Sequence, residues 1–463
     1  MLFANHEKAL KTIGKKAVVN GIPTAEELRA RLTAEGNTPA RSALRMLFDE
    51  DTFVEIGTYT KRSFHDCVSL DRDEEFEGVI TGYGSVDGNL VFAFAQDATR
   101  MLGAIDENHV KKIVALYDLA LKKDAPVIGI FSSSGAFVEE GVSALAAYGK
   151  LFKTITQASY HIPQIAYVLG NCIGTAAAIA ASFDFVVANK DATFYVTGSE
   201  LGGKKVGTDV VTFMGDDSAC SAYIRSLLAY LPQTALESAE SEDDINRRLE
   251  SLDGIAASDI IACVADAGCF IPLKQDDGTN VITALTTIAG VKCGVIINDY
   301  LVNDGRLNTA EAMKIADFLS LCDAYSLPVV TLVDSCGLAK DVCIHAIKDL
   351  AIAYASLEVP SVTVVLKHAI GAAFTLMGSK SLGADLVYAL DQAEIGILSS
   401  ASSVAFAWND QIDASTSREE LEARWRTSIS TPVAAASTGE IDDIIDDTEL
   451  RARIASALLM LTC

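Results

Sequence analysis

The chain contains two kinds of glycine-bearing turn, and each kind occurs twice. Residues 133–136 (SSGA) and 336–338 (CGL) each follow a short apolar segment, whereas residues 173–176 (IGTA) and 370–373 (IGAA) each open a predicted helix. Backbone N–H groups at a helix start lack intrahelical partners and carry partial positive charge. Two such groups from neighbouring loops can bind one oxygen, forming an oxyanion hole that needs small residues more than particular side chains.

These turns predict two oxyanion holes. The candidate site residues are Gly135, Ala136, Gly174 and Thr175 for the first hole, and Gly337, Leu338, Gly371 and Ala372 for the second. A single glycine turn of this kind usually serves only strand–helix packing. The recurrence of the same pair of turns is a stronger indication of a shared function.

The turns belong to a long internal repeat. Residues 327–330 (LPVV) follow 125–128 (APVI) by 202 positions, since 328 − 126 = 202. Gly371 follows Gly174 by 371 − 174 = 197, and 385–389 (DLVYA) follow 184–188 (DFVVA) by 385 − 184 = 201. A repeat of this size indicates two homologous domains. We place them at 1–235 and 236–463, because the acidic stretch between Leu231 and Gly254 is typical of a linker, although a solvated helix would explain it equally well.

Strands and helices alternate in each repeat, which predicts an α/β fold. A helical apolar period covers 108–123, and short apolar runs at 126–131 and 164–169 predict buried strands. Asp87-Gly88 predicts a hairpin between strands at 77–83 and 89–96. Helices are expected near the N-terminus, where Thr24 and Glu27 have capping-box spacing, at 141–159 and at 175–182.

The composition excludes several classes of protein. The 463 residues include 37 Lys and Arg against 62 Asp and Glu, a formal charge of −25, which argues against a nucleic-acid partner and an anionic membrane surface. The ten cysteines show no C-x-x-C pair, so they predict reduced, packed thiols rather than a metal site.

One uncharged stretch, residues 162–183, is long enough to span a bilayer. Pro163 and the Gly170-Asn171 turn signal interrupt it, so we predict a buried strand, a tight turn and a buried helix instead. The first 16 residues are polar and contain several lysines, unlike a secretory signal. We expect a cytoplasmic protein.

The segment 163–174 (PQIAYVLGNCIG), followed by Asp184, resembles the crotonase superfamily pattern. A duplicated crotonase unit is typical of the carboxyltransferase subunits of biotin-dependent acyl-CoA carboxylases and decarboxylases. The chain is most similar to their propionyl-CoA and methylmalonyl-CoA group. The segments that carry this further resemblance are 48–57, 78–84, 125–141, 322–334 and 439–446.

The resemblance implies two tandem crotonase-like (ClpP/crotonase) domains, with the acyl-CoA on the first and biotin on the second. It implies CO2 transfer between carboxybiotin and an acyl-CoA, with no metal. The biotin would belong to a separate biotin carboxyl carrier protein. A biotin carboxylase or membrane decarboxylase subunits would be further partners. We also expect a homodimer or larger homo-oligomer, since the family's active site joins halves of two subunits.

Several residues depart from the family pattern. Residues 132–137 read SSSGAF where the family has DSGGAR, and Gly174-Thr175 and Gly371-Ala372 replace paired glycines. Cys336 stands in place of a proline, and the loop after 197–199 is shortened. Backbone N–H groups survive these changes, so we expect both holes to form. Two alternatives remain: a non-catalytic scaffold subunit, or a crotonase-type hydratase or isomerase. The second would need paired glutamates near the first turns, and Glu139 and Glu140 are adjacent, so they would point in different directions on a helix.

Some basic residues invite other interpretations. Residues 311–315 (EAMKI) resemble a biotin attachment motif, but the apolar spacing around Lys314 predicts an amphipathic helix and no attachment. The lysine pairs 111–112, 122–123 and 204–205 are candidates to offset the charge of CoA, or simply solubilise helices. His109, His161, His345 and His368 show no carboxylate or metal partner at a recognisable spacing.

Overall fold

Each half of the chain forms one mixed eight-stranded sheet. The computed structural model describes residues 38–60, 76–196, 207, 209–231, 243–248, 252, 254–413 and 415–462. The first sheet has the order β1-β2-β3-β4-β5-β6-β8, with β7 paired to β5. Its strands are β1 Val54–Ile56, β2 Val79–Val86, β3 Asn89–Gln96, β4 Val127–Ser133, β5 Gln164–Ile173, β6 Phe185–Asn189, β7 Thr193–Tyr195 and β8 Phe213–Gly215.

The second sheet repeats this topology in the order β9-β10-β11-β12-β13-β14-β16, with β15 paired to β13. Its strands are β9 Phe270–Leu273, β10 Val281–Ile288, β11 Val291–Asn298, β12 Val329–Ser335, β13 Ser361–Ile370, β14 Leu386–Leu390, β15 Glu394–Gly396 and β16 Asp443–Ile445. The predicted α/β fold with two tandem homologous units is therefore confirmed.

Helices cover both sheets. They are α1 Pro39–Leu47, α2 Glu107–Leu121, α3 Val142–Ala158, α4 Thr175–Ala180, α5 Asp217–Tyr230, α6 Ala257–Val264, α7 Thr309–Ala324, α8 Ile344–Ala355, α9 Ala372–Leu376, α10 Ser400–Ser403, α11 Arg418–Ser428, α12 Pro432–Ala436 and α13 Leu450–Thr462. Within the described ranges, none has the length and apolar character needed to cross a membrane. The predicted N-terminal helix around Thr24 and the linker at 232–242 lie outside the described residues.

The local sequence signals explain several elements directly. Asp87 and Gly88 both have positive φ, at 50° and 82°, and join β2 to β3 as the predicted hairpin. Every residue of β4 is buried, because helices cover both faces of a parallel strand. Its apolar run therefore predicted a buried strand correctly.

The predicted turn at Gly170 and Asn171 is wrong, because β5 continues to Ile173. The strand pairs with β6 up to Val168 and with β7 from Asn171 onward. Its register with β4 also shifts in this region. A Cβ on Gly170 would lie 2.6 Å from Ser132 Oγ. The glycine thus marks an irregularity within a strand, where two chain segments approach closely, rather than a chain reversal.

The two halves share one hydrophobic core cluster. It runs from Ile165 and Leu227 in the first half to Leu285 and Leu319 in the second. Polar contacts cross the same junction: the Tyr325 hydroxyl donates to Asp184 at 2.6 Å, and burial raises the pKa of that carboxyl to about 6. Because they share this core, the halves pack as one body.

Candidate active site

The glycine turns lie at the carboxyl ends of neighbouring parallel strands. In the first sheet Ser133 of β4 is opposite Cys172 of β5, and Gly135 and Gly174 each follow two residues later. In the second sheet Ser335 is opposite Ala369, and Gly337 and Gly371 again follow two residues later. The structure therefore brings together the two turns that the sequence predicted for each hole.

The backbone of the turns requires glycine. Gly135 and Gly337 have φ of 112° and 106°, and Gly174 and Gly371 have φ of 69° and 59°. L-residues with a side chain rarely adopt these conformations. The residue after each helix-opening glycine is helical, which explains why Thr175 and Ala372 can replace a second glycine there.

Hydrogen bonds within the first half already use the N–H groups of both glycines. The N–H of Gly135 donates to Ser133 Oγ at 3.1 Å, and that of Gly174 to the Tyr195 carbonyl at 2.9 Å. Among the hydrogen bonds of the described residues, none uses the N–H of Ala136 or Thr175. Those two groups are the available donors, and the glycines supply the conformation that presents them.

The second half repeats this pattern of hydrogen bonds. The N–H of Gly337 donates to Ser335 Oγ at 3.2 Å, and that of Gly371 to the Gly396 carbonyl at 2.8 Å. The N–H groups of Leu338 and Ala372 have no acceptor in the described part of the chain. A Cβ on Gly337 would lie 3.3 Å from the Ile370 carbonyl oxygen, so the two turns are in close contact.

A buried polar cluster lies beneath the first turns, and the sequence spacing did not indicate it. His109 Nδ1 lies 3.2 Å from Glu77 Oε1, and His109 Nε2 lies 3.3 Å from Gln96 Nε2. Gln96 Oε1 accepts from the N–H of Ser132 at 3.1 Å. Asp106 accepts from the His109 N–H, and burial beside Glu77 raises the pKa of Asp106 to about 6.

A second histidine–carboxylate pair lies beside the second turns. His368 Nδ1 is 2.8 Å from Asp334 Oδ1, and the Tyr300 ring stacks on the imidazole at 4.5 Å. Burial and the neighbouring Cys336 raise the pKa of Tyr300 to about 12. His109 and His368 thus have carboxylate partners that the sequence spacing does not indicate. Their partners are 32 and 34 residues away along the chain, so no local motif reveals them.

Two lysines occupy equivalent buried positions. Lys314 lies in α7, as predicted, and its Nζ donates to the carbonyls of Lys274, Asp277 and Val281 at 2.8–2.9 Å. Lys112 donates to the Val79 carbonyl, and it is buried rather than available to CoA on the surface. Lys314 therefore does not sit at the exposed hairpin tip that biotin attachment requires. Lys204 and Lys205, and the shortened loop at 197–203, lie outside the described residues.

Glu140, one of the two glutamates considered for a hydratase, has a structural partner instead. The Glu140 carboxylate is buried and accepts from the N–H of Glu107, the first residue of α2. It thus stabilises a helix start. In the described part of the chain, no group of three or more His, Cys, Asp or Glu is arranged to hold a metal.

Comparison with known proteins shows which protein family has this architecture. The carboxyl transferase domain model matches residues 31–215 and again 210–462. The chain is 35% identical to the methylmalonyl-CoA decarboxylase subunit alpha of Veillonella parvula, over 92% of this chain and 91% of the relative. It is 31% identical to the methylmalonyl-CoA carboxyltransferase 12S subunit of Propionibacterium freudenreichii subsp. shermanii, over 92% and 89%.

A solved structure gives the same result. A transcarboxylase 12S crystal structure, described as a hexamer with methylmalonyl-coenzyme A and methylmalonic acid bound, superposes with a TM-score of 0.83. It shares 30% sequence identity, over 98% of this chain and 96% of that chain. The chain therefore belongs to the carboxyl transferase family. The relatives it resembles within that family include subunits of methylmalonyl-CoA decarboxylase, methylmalonyl-CoA carboxyltransferase and propionyl-CoA carboxylase.

Proposed function

We propose that this chain is the carboxyltransferase subunit of a biotin-dependent acyl-CoA carboxylase or decarboxylase. It moves CO2 between carboxybiotin on a separate carrier protein and an acyl-CoA of the propionyl or methylmalonyl type. The observation that carries the proposal is that each half has two adjacent turns, and each turn offers one backbone N–H without an acceptor among the described residues. Family membership at 30–35% identity over most of the chain supports the same reaction class.

In the first half, the N–H groups of Ala136 and Thr175 would bind the thioester oxygen of the acyl-CoA. This oxygen gains negative charge when the α-carbon loses a proton or, in decarboxylation, loses its carboxyl group as CO2, because the electron pair left on the carbon is shared with the oxygen. Donors fixed in position before the reaction stabilise that charge without reorganising. No side chain is needed for this role, so the SSSGAF sequence at 132–137 is compatible with catalysis.

In the second half, the N–H groups of Leu338 and Ala372 would bind the ureido oxygen of biotin. Ala372 is partly exposed, and its small side chain adds little bulk at this turn. Biotin supplies a nitrogen that carries the transferable CO2. The contribution of this chain is to bind and polarise that group opposite the acyl-CoA.

Exposed apolar side chains flank both sets of turns. Val138 and Val142 are 86% and 79% exposed and follow the first turn of the first half, and Ile344 and Ile397 are 84% and 89% exposed in the second half, where the Ile397 carbonyl lies beside Gly371. A contiguous group of exposed apolar side chains is typical of a protein–protein contact. We propose that a second copy covers them, placing the first turns of one subunit opposite the second turns of another.

Assembly provides a direct test. Light scattering of the purified chain at micromolar concentration should give at least 98 kDa, twice the 49.1 kDa of one chain. An obligate contact of this kind should bury about 2,000 Å² or more. A monodisperse 49 kDa species would rule out an active site shared between subunits.

A transfer assay tests the reaction itself. A biotinylated carrier domain charged with labelled bicarbonate by a biotin carboxylase should pass the label to propionyl-CoA when this chain is added. Acetyl-CoA and butyryl-CoA serve as substrates of different acyl size. A folded oligomer that transfers nothing to any of these, and releases no label from methylmalonyl-CoA to the uncharged carrier, would favour the scaffold alternative.

A further inference from the structure

A chain of buried hydrogen bonds connects the core of the first half to its first glycine turn. It runs from Glu77 through His109 and Gln96 to the backbone N–H of Ser132. Gln96 and His109 are completely buried, and Ser132 is the last residue but one of β4. Ser133, whose hydroxyl accepts from Gly135, follows immediately.

The hydrogen-bond donors and acceptors fix the order of this chain. The Ser132 N–H can only donate, so Gln96 must present its carbonyl oxygen there and its NH2 group to His109. His109 Nε2 must then accept, which leaves the ring proton on Nδ1 to be donated to Glu77. The arrangement requires a neutral His109 ring, held between α2 and β3.

The equivalent residues of the second half do not form this series of hydrogen bonds. At the positions equivalent to Gln96 and His109, displaced by 202 residues, stand Asn298 and Glu311. Glu311 instead reaches back to the N–H of Asn308 at 2.8 Å and caps α7, and Asn298 donates to the Gly305 carbonyl at 3.3 Å. Asp334 replaces Ser132. Because the two halves are homologous, we expect a hydrogen-bond network that is present in only one of them to serve the function specific to that half.

We propose that Gln96 and His109 are positioning residues that hold the end of β4, and so the N–H of Ala136, in the geometry that the acyl-CoA thioester requires. A buried hydrogen-bond network of this kind restricts movement, because any donor or acceptor that turns away leaves a buried polar group unsatisfied. The identity of the ligand rests on the proposed function. The hydrogen-bond relay, meaning the series of hydrogen bonds from Glu77 through His109 and Gln96 to Ser132, does not depend on it.

Enzyme kinetics test the positioning role. Gln96→Leu and His109→Leu should each lower kcat/KM for propionyl-CoA by about ten- to a hundredfold, since small misplacements of a binding group have effects of this size. The KM for the charged carrier should stay within about twofold, because the carrier is assigned to the other half. Since both residues act through one chain, the double variant should be no more than about threefold worse than the poorer single variant.

A matched control separates positioning from stability. Tyr117 is equally buried in the first half, and its hydroxyl donates to Gln164 Oε1 at 2.8 Å at the opposite end of β5. Tyr117→Phe should lower the melting temperature and leave kcat/KM for propionyl-CoA unchanged. The positioning role is wrong if Gln96→Leu and His109→Leu have lower melting temperatures but unchanged kcat/KM for propionyl-CoA. It is also wrong if they change the KM for propionyl-CoA and the KM for the charged carrier equally.

Nitrogen NMR of histidine-labelled wild-type protein tests the relay without any activity measurement. The signal that disappears in His109→Leu should be that of a neutral ring with the proton on Nδ1 and a bare Nε2. A ring protonated on Nε2, or on both nitrogens, would overturn the relay. If the wild type transfers no CO2, the proposed function fails, and the NMR result still decides whether the relay exists.

Discussion

Ala372→Pro should reduce the rate of carboxyl transfer by about 10²–10³-fold, equivalent to about 2.7–4 kcal/mol of lost transition-state stabilisation. Proline deletes the N–H that we assign to the biotin ureido oxygen. Ala372 is the first residue of α9, where proline fits because no intrahelical hydrogen bond is lost. The preceding Gly371 already donates its own N–H to Gly396, so a substitution at the glycine would test a structural bond instead.

The control for this variant is Ala372→Ser, which keeps the N–H and should retain most of the activity. The equivalent pair in the first half is Thr175→Pro and Thr175→Ala, because Thr175 is likewise the first residue of its helix. Ala372→Pro should bind propionyl-CoA normally in calorimetry, whereas Thr175→Pro should bind it more weakly. The opposite pattern would reverse the assignment of the two halves, and full activity in both proline variants would exclude these N–H groups from catalysis.

The largest stability effect should come from Arg451→Leu, which should lower the free energy of unfolding by about 3–5 kcal/mol. The Arg451 side chain is completely buried and lies 2.7 Å from Asp266 Oδ1. Asp266 also accepts from the N–H groups of Ala289 and Gly290 at the tip of the β10–β11 hairpin. Losing the guanidinium removes the positive charge that lies against this buried carboxylate.

The matched control lies two residues further along the same helix. Arg453 is 45% exposed and pairs with Asp443 and Glu449 at 3.4 and 3.6 Å. Arg453→Leu should change the free energy of unfolding by at most about 1 kcal/mol, because water already solvates these charges. Urea unfolding followed by circular dichroism measures both variants. Equal losses would show that the buried pair has no special role.

The predictions that held depend on local patterns. Asp87-Gly88 favours the two-residue turn of a β-hairpin, and β2 and β3 form that hairpin. The run 126–131 is apolar on both faces of a strand, and the apolar residues around Lys314 have helical spacing. Each of these patterns reflects conformational preferences among residues that are close together in the sequence. The sequence alone is therefore sufficient to predict these elements. The duplication was visible for the same reason, because each half keeps its own local patterns at nearly constant offset.

Gly170 shows where local signals fail. A glycine–asparagine pair favours a turn in isolation, yet here β4, β6 and β7 satisfy the backbone of the surrounding strand and hold it extended. The pairing energy of three neighbouring strands outweighs the local preference. Only the assembled sheet provides those partners.

The sequence by itself determined the family, the two-domain α/β architecture and the four turns at which chemistry is expected. The tertiary structure decided which backbone N–H groups remain available at those turns. Gly174 and Gly371 donate theirs to the carbonyls of Tyr195 and Gly396, so the available groups are those of Thr175 and Ala372. It also decided that His109 meets Glu77 and that His368 meets Asp334. Hydrogen-bond partners depend on distances of about 3 Å between residues from different strands and helices, and packing, not sequence spacing, sets those distances.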